Sequence, residues 1–259
     1  MKIYDINQVY RWFDNYVGSF ASEGKLPDMS EMKRTHSYEV EKVGSRLANE
    51  MKWKGDHALL ATAASLLHDT GRFSQFRDYG TLYDASSVDH GERGYEELKR
   101  FFPKELADEE GYNAIIESAR WHNKKKLPEG IEDIYLPFCK LVRDADKIDV
   151  FRLVQDHIVR GKVEELLPRH KISAPLSESV LEEVEEYGYT SYKNVSSLAD
   201  FLLLQITWIL DVNYAVSIKT LDEIGAVEKI IEQLPLNKRA LNVLDSLLER
   251  IDKHRASVI

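Results

Sequence analysis

The stretch SLLHDTGRFSQF, residues 65–76, decides how the first half of the chain is interpreted. It ends an apolar helical run, residues 58–67, with His68 beside Asp69 and then Gly71. Buried polar side chains are costly unless they have partners, so this pair needs a reason. Because neighbouring residues diverge by about 100° around an α-helix, His68 and Asp69 can share one site only where the helix ends. We expect Gly71 to end the helix in a left-handed turn that lets both side chains project together.

The composition is that of a globular, mostly helical chain. The 259 residues include only 13 Gly and 7 Pro, and 43% are hydrophobic. This composition predicts one all-α domain over residues 1–259. The net charge of -9 argues against a sequence-independent nucleic-acid binder, which needs a basic surface. The single cysteine, Cys139, excludes an internal disulfide and is expected to pack in the core.

Targeting and membrane signals are absent from the sequence pattern. The N-terminal residues mix charges with apolar side chains, unlike a signal peptide. The longest apolar stretch, residues 201–210, is too short to span a bilayer. We therefore expect a cytoplasmic protein with no membrane partner.

Helical periodicity runs through most of the chain. Asp5 is expected to cap the first helix, and Ser30 a second helix that runs to about Trp53. An irregular loop is predicted over residues 72–88, whose aromatic side chains either cover a substrate or pack in the core. The remaining helices are predicted at about 56–69, 89–102, 110–123, 133–160, 176–187, 194–220 and 237–254.

Four of the eight histidines lie on apolar helix faces, each on a different predicted helix. They are His36, His68, His90 and His122. A single inward histidine is more often a hydrogen-bonded core residue than a ligand. Four of them, from four helices, all need buried partners, and a shared metal would satisfy them together.

A second acidic cluster lies in LVRDADKIDVF, residues 141–151. The apolar face of the predicted helix includes Asp149 and has Asp146 at its edge, while Asp144 points away. Periodicity alone therefore favours Asp149 as the buried acid, with Asp146 second.

These residues resemble the HD superfamily of metal-dependent phosphohydrolases. The family pattern, His…His-Asp…Asp with two further histidines in binuclear members, is matched in order by His36, His68, Asp69, His90, His122 and Asp146. The surrounding segments HDTGRF, SVDHGERGYEEL, ARWHNKKKLP and RDADKID are also similar to bacterial members. The resemblance covers about residues 30–155. It implies an HD-type helical bundle with a metal-binding core there and additional C-terminal helices over about residues 160–259.

The resemblance also implies a ligand set and a chemistry. It selects Asp146 as the ligand and leaves Asp149 as a supporting acid. One metal would be held by His36, His68, Asp69 and Asp146, and a second by His90 and His122, with Asp69 bridging. Imidazole and carboxylate donors suit Mn²⁺, Fe²⁺, Zn²⁺, Co²⁺ or Ni²⁺. The expected reaction is cleavage of a phosphoester or phosphoanhydride bond of a small molecule, a nucleotide in our interpretation, by a metal-bound hydroxide.

Three cations are candidates for substrate phosphate. Arg72, where many relatives carry lysine, can bind phosphate through two parallel hydrogen bonds. Lys147 either assists catalysis or pairs with a neighbouring acid. Lys124 opens a run of three lysines after His122 that either lines the mouth of the site or is simply solvated.

Two other functions fit the same residues. Some HD proteins use this six-ligand arrangement as a mixed-valent di-iron oxygenase, and a non-catalytic metal- or nucleotide-binding module would also retain it. In the C-terminal third, Asp211 and Asn213 either reach the pocket or serve as helix-end polar groups. Exposed apolar helix faces would support a homodimer, although the sequence does not fix the oligomeric state.

Overall fold

The structure is a computed structural model that describes residues 1–258. The chain folds into two compact units, one over Met1–Asp149 and the other from Val150 onward. The predicted domain over residues 1–259, with its core and extension, stays a prediction, and Ile259 lies outside the described residues.

The all-α fold class is confirmed, since residues 1–258 contain helices and no β-strand. The helices that begin in the first unit are α1 (Ile6–Gly18), α2 (Asp28–Glu50), α3 (Asp56–Leu67), α4 (Thr70–Tyr79), α5 (His90–Phe101), α6 (Glu109–Trp121) and α7 (Leu136–Val159). Short 3-10 segments lie at Asp84–Ser86 and Lys104–Leu106. The unit boundary falls within α7.

The second unit contains shorter helices and one long terminal helix. They are α8 (Val163–Leu166), α9 (Glu178–Tyr187), α10 (Leu198–Thr207), α11 (Ala215–Glu223), α12 (Ala226–Ile231) and α13 (Lys238–Val258). Helix α13 packs against α9 and α11, and α10 packs against α12. Within residues 1–258, no helix is both long enough and apolar enough to cross a membrane.

Helix α3 forms the centre of the first unit. Its side chains Leu60, Leu66 and Leu67 are fully buried, as are its alanines at 61, 63 and 64. The small residues let α2 and α6 pack against it from two sides. The end of α3, where His68 lies, is therefore held deep inside the unit.

Side-chain caps fix where three helices of the first unit begin. Asp5 accepts a hydrogen bond from the Asn7 backbone N–H, which confirms the predicted cap of α1. Asp89 accepts from two backbone N–H groups at the start of α5, and Asp108 accepts from Gly111 at the start of α6. Such caps satisfy N–H groups that have no partner within the helix.

The prediction for Ser30 is wrong. Helix α2 begins at Asp28, after Pro27, and Ser30 is buried in its first turn. Proline is well suited to the start of a helix because its φ angle is fixed and no N–H is needed there. The helix therefore starts earlier than the capping pattern indicates.

The prediction for Gly71 is also wrong. The chain breaks between helices at His68 and Asp69, and Gly71 lies inside α4 with an ordinary right-handed φ. A Cβ at Gly71 would lie 2.3 Å from the His90 carbonyl oxygen and 2.4 Å from the Gly94 nitrogen. The glycine is needed for the close approach of α4 to α5. The left-handed glycine is Gly80, which ends α4 with a φ of 64°.

Residues 72–79 belong to α4, so only part of the predicted 72–88 loop is irregular. Phe73 is 1% exposed and packs edge-on against Phe13 and Tyr16 of α1. This packing favours a core role for Phe73, whereas Tyr79 and Tyr83 are exposed. Aromatic packing against α1 stabilises a helix that sequence periodicity does not indicate.

The long helix predicted over residues 194–220 is interrupted. Helix α10 ends at Thr207, a 3-10 turn covers Trp208–Asp211, and α11 begins at Ala215. Asn213 donates a hydrogen bond to the Asp211 carbonyl oxygen within this break. That Asp211 and Asn213 reach a pocket stays a prediction.

Candidate metal centre

Six residues from six helix segments of the first unit lie together, and we call them the His–Asp cluster. They are His36 in α2, His68 at the end of α3, Asp69 before α4, His90 at the start of α5, His122 after α6 and Asp146 in α7. All four histidines are buried, with at most 6% of each residue exposed. The break between α3 and α4 lets His68 and Asp69 contribute to the same site.

Two of the histidines are fixed by carbonyl oxygens of their own helices. The Nδ1 of His68 lies 2.7 Å from the Ser65 carbonyl oxygen, and the Nδ1 of His122 lies 2.7 Å from the Ala119 carbonyl oxygen. A carbonyl only accepts, so Nδ1 carries the proton in both rings. Each Nε2 is therefore left with its lone pair.

The other two histidines are fixed by carboxylates outside the His–Asp cluster. The Nδ1 of His36 lies 2.7 Å from Asp149 Oδ2, and the Nδ1 of His90 lies 2.6 Å from Asp84 Oδ2. A carboxylate that accepts from Nδ1 orients the ring and makes Nε2 a better metal donor. Asp149 thus supports His36 rather than lying at the centre.

Asp69 divides its two carboxylate oxygens between two pairs of imidazoles. Its Oδ2 lies 3.6 Å from the Nε2 atoms of both His36 and His68. Its Oδ1 lies 3.6 Å from His90 Nε2 and 3.4 Å from His122 Nε2. Each oxygen of Asp69 thus faces one pair of imidazoles.

Asp146 lies beside His36 and His68, the first of these two pairs of imidazoles. Its Oδ1 lies 3.1 Å from His36 Nε2 and 3.7 Å from His68 Nε2. Its side chain is 23% exposed, which makes Asp146 the most exposed residue of the His–Asp cluster. Asp144, predicted to point away, is fully buried instead.

The donor atoms are poorly satisfied by the protein alone. His90 Nε2 and His122 Nε2 lie 3.1 Å apart. Both rings carry their proton on Nδ1, so both Nε2 atoms are acceptors and neither can donate to the other. His68 Nε2 and Asp69 Oδ1 are buried without a hydrogen-bond partner among residues 1–258. Such groups cost free energy unless a cation or proton lies between them. The cluster therefore fits divalent metal ions held by imidazole and carboxylate.

The pKa values reflect this crowding. Burial lowers the pKa of His68 to about 3 and that of His90 to about 4. Burial raises the pKa of Asp69, but the Lys33 ammonium and the neighbouring imidazoles outweigh it and hold that pKa well below its usual range. For His36, burial and Lys33 lower the pKa, whereas Asp146 and Asp149 raise it more strongly, to about 9. The metal-free site thus favours ionised carboxylates and two neutral imidazoles.

The predicted phosphate-binding cations are engaged with other residues of the protein. Arg72 Nη1 donates to the Leu82 carbonyl oxygen and to Asp84 Oδ1, at 2.8 Å for the latter, while its Nε lies 3.6 Å from Asp69 Oδ1. Lys124 pairs with Asp89, the cap of α5. Lys147 is half-buried next to Asp146 on α7.

Sequence reasoning missed three residues around the centre. Lys33 donates a 2.7 Å hydrogen bond to Asp69 Oδ2. Because it lies one helical turn before His36, helical periodicity could have placed it on the same face as His36. Asp84 begins the short 3-10 segment between α4 and α5, where no sequence pattern indicates its contact with His90. Arg143, which is 2% exposed, donates to the carbonyl oxygens of Trp121 and His122 at the end of α6.

Comparison with known protein families agrees with this geometry. Residues 34–150 match the family model of the HD domain, and every residue of the His–Asp cluster lies within this match. No curated protein and no solved structure gives a significant match to the chain. The helical fold and the His–Asp cluster are those expected of a helical protein that binds metal through histidines and aspartates. Residues 34–150 therefore form an HD domain, which covers less than half of the chain, and HD domains are typical of a superfamily of metal-dependent hydrolases.

Proposed function

We propose that the chain is a metal-dependent phosphohydrolase that cleaves a phosphoester or phosphoanhydride bond of a small molecule, with nucleotides as the first substrate class to test. The observation that carries the proposal is the division of the Asp69 oxygens between His36 and His68 on one side and His90 and His122 on the other. This supports two metal ions per chain, drawn from Mn²⁺, Fe²⁺, Zn²⁺, Co²⁺ and Ni²⁺.

Two bound divalent ions would supply an activated water and a clamp for the phosphoryl oxygens. The protein's own part is to hold six donor atoms in place. Asp149 and Asp84 keep the Nδ1 protons of His36 and His90 directed away from the centre. Burial of His68 and His90 lowers the pKa of both rings and so keeps both able to act as ligands near neutral pH.

Arg72 is proposed to support the site through Asp84. Its guanidinium donates to Asp84, which in turn holds His90. Direct contact of Arg72, Lys124 or Lys147 with substrate phosphate stays a prediction, because the described contacts of Arg72 and Lys124 are to protein groups.

The test is phosphate or pyrophosphate release from nucleoside mono-, di- and triphosphates, cyclic nucleotides and alarmone-type pyrophosphates, with the chain loaded separately with Mn²⁺ and Fe²⁺. The proposal expects turnover by the wild type and by the exposed-site control Asp252→Ala, and none by Asp69→Ala. Oxygen uptake with iron and reductant but no phosphate release would contradict it in favour of an oxygenase. Tight nucleotide binding without turnover would contradict it in favour of a binding module.

A further inference from the structure

Lys33 places a positive charge directly at the His–Asp cluster. It lies on α2, one turn before His36, and its side chain is 15% exposed. Its Nζ donates a 2.7 Å hydrogen bond to Asp69 Oδ2, the oxygen that faces His36 and His68. The ammonium group thus lies beside the first pair of imidazoles, on the side of the cluster where Asp146 is partly exposed.

The partner of Lys33 distinguishes it from the other cations near the centre. Arg72 donates its hydrogen bonds outside the cluster, Asp84 among the acceptors, and approaches Asp69 Oδ1 only to 3.6 Å, while Lys124 pairs with Asp89. The carboxylate that holds Lys33 is Asp69 itself. Any cation that binds Asp69 must therefore compete with the lysine or lie close to it.

This competition has an electrostatic consequence. Like charges a few ångströms apart repel each other strongly where water is partly excluded, and a divalent ion doubles the repulsion that a monovalent ion would exert. An ammonium group that a metal ion displaces from Asp69 is stabilised by solvent or by an anion that lies between the two cations. A lysine side chain has a flexible four-carbon stem, so its ammonium can shift to meet such an anion.

We propose that Lys33 is a substrate-binding residue that contacts the phosphoryl oxygens of the anionic substrate at the loaded centre. The inference rests on the proposed phosphohydrolase function and adds a residue that selects for anionic substrates. Lysine serves as a point-charge ligand for phosphate, so the contact requires charge more than a fixed geometry.

The experiment uses the full chain loaded with Mn²⁺ and inorganic phosphate as the probe. The variants are Lys33→Met, Lys33→Arg and the control Lys42→Met, whose lysine lies on the same helix but pairs with Glu39 at the surface. Metal content is measured by mass spectrometry and phosphate affinity by calorimetry. We expect unchanged metal content in all variants, at least tenfold weaker phosphate binding by Lys33→Met, and a smaller loss in Lys33→Arg.

Two results with the variants would overturn the inference. Phosphate binding by Lys33→Met within twofold of the wild type would show that Lys33 does not contact the anion. Loss of metal from Lys33→Met would show that the lysine only holds Asp69. If the loaded wild type itself binds no phosphate, the proposed function fails, and this inference fails with it. The two results with the variants concern Lys33 alone, so they can be distinguished from a failure of the proposed function.

The reactivity of the Lys33 amine can be measured in the wild type, so this test does not depend on whether a variant folds. An amine-reactive reagent labels lysines, and mass spectrometry reports the rate at Lys33 relative to Lys42. We expect phosphate to slow the labelling of Lys33 in the Mn²⁺-loaded chain and to leave that of Lys42 unchanged. Equal rates with and without phosphate would overturn the inference.

Discussion

Asp149 determines which nitrogen of His36 faces the His–Asp cluster. Its Oδ2 lies 2.7 Å from His36 Nδ1, and its side chain is only 8% exposed. Loss of such a supporting carboxylate typically lowers metal affinity by about 10- to 100-fold. We expect Asp149→Ala to lower metal affinity by this amount, measured by competition with a chelator.

The matched control for this variant is Asp156→Ala on the same helix. Asp156 forms a surface ion pair with Arg160 and is 45% exposed. Such pairs contribute little, so metal affinity should be unchanged. Equal affinities of Asp149→Ala and the wild type would show that His36 does not need its carboxylate partner.

His68 and His90 make the metal-free chain sensitive to acid. Burial lowers their pKa to about 3 and about 4, whereas the unfolded chain takes up these protons near the ordinary pKa of 6.5. Because the unfolded state then binds more protons, stability present above pH 6.5 is lost as the pH falls. We expect the Tm of the metal-free chain to decrease from pH 6.5 to pH 5.

His36 acts in the opposite direction but in a different range. Its pKa is raised to about 9, so its contribution is complete below pH 6.5 and is lost as the pH rises towards 9. The decrease between pH 6.5 and pH 5 is therefore due to His68 and His90, together with His170, whose pKa burial also lowers. The variant His90→Gln should show a smaller decrease than the wild type. A Tm that rises or stays constant over this interval would contradict the assigned protonation states.

At the residue scale, the sequence predicts which histidines point inward but not what holds them. The helical face positions of His36, His90 and His122 follow from periodicity, and all three are buried. The contact of Asp84 with His90 depends on the path of an irregular segment, which no periodic pattern describes. Lys33 could have been found from its spacing to His36.

At the scale of helices, the approach of α4 to α5 positions His90. A methyl group at Gly71 would lie 2.3 Å from the His90 carbonyl oxygen, and backbone atoms of a helix cannot yield separately. Such overpacking costs about 1–3 kcal/mol. We expect Gly71→Ala to lower the free energy of unfolding by this amount, measured by urea denaturation, and to weaken metal binding.

Gly18→Ala is the control for this prediction. Gly18 lies at the end of α1, and a Cβ there would meet no atom within 4 Å. Alanine also favours helix over glycine, so this variant should be neutral or slightly more stable. Wild-type stability in Gly71→Ala would contradict the packing described for α4 and α5.

Helix boundaries were predictable where local signals decide them. Asp5 caps α1 through its own side chain, and the predicted and observed starts agree. Helix α4 depends on Phe73 packing against α1, and the break after Thr207 separates two segments that look like one apolar run in the sequence. Tertiary contacts decide these cases, so local sequence cannot.

At the scale of the molecule, metal binding should stabilise the first unit. The cluster residues come from α2 to α7, so bound ions would connect six helix segments. A ligand that binds only the native state raises stability, by about 2.7 kcal/mol at 100 times its Kd. We expect excess chelator to lower the Tm of the loaded wild type clearly, measured by calorimetry.

The variant Asp69→Ala provides the comparison for chelation. Without the Asp69 carboxylate, its Tm should not respond to chelator. The second unit, from Val150 onward, carries none of the cluster residues. A Tm of the wild type that is the same with and without chelator would contradict buried metal ions in the first unit.

The most direct test of the account is the metal content per chain, measured by element-specific mass spectrometry on the wild type, Asp69→Ala and the control Asp252→Ala. We expect about two divalent ions per chain in the wild type and the control, as in bridged two-metal sites, and loss of both in Asp69→Ala. No metal in the reconstituted wild type, or the same content in Asp69→Ala, would contradict it.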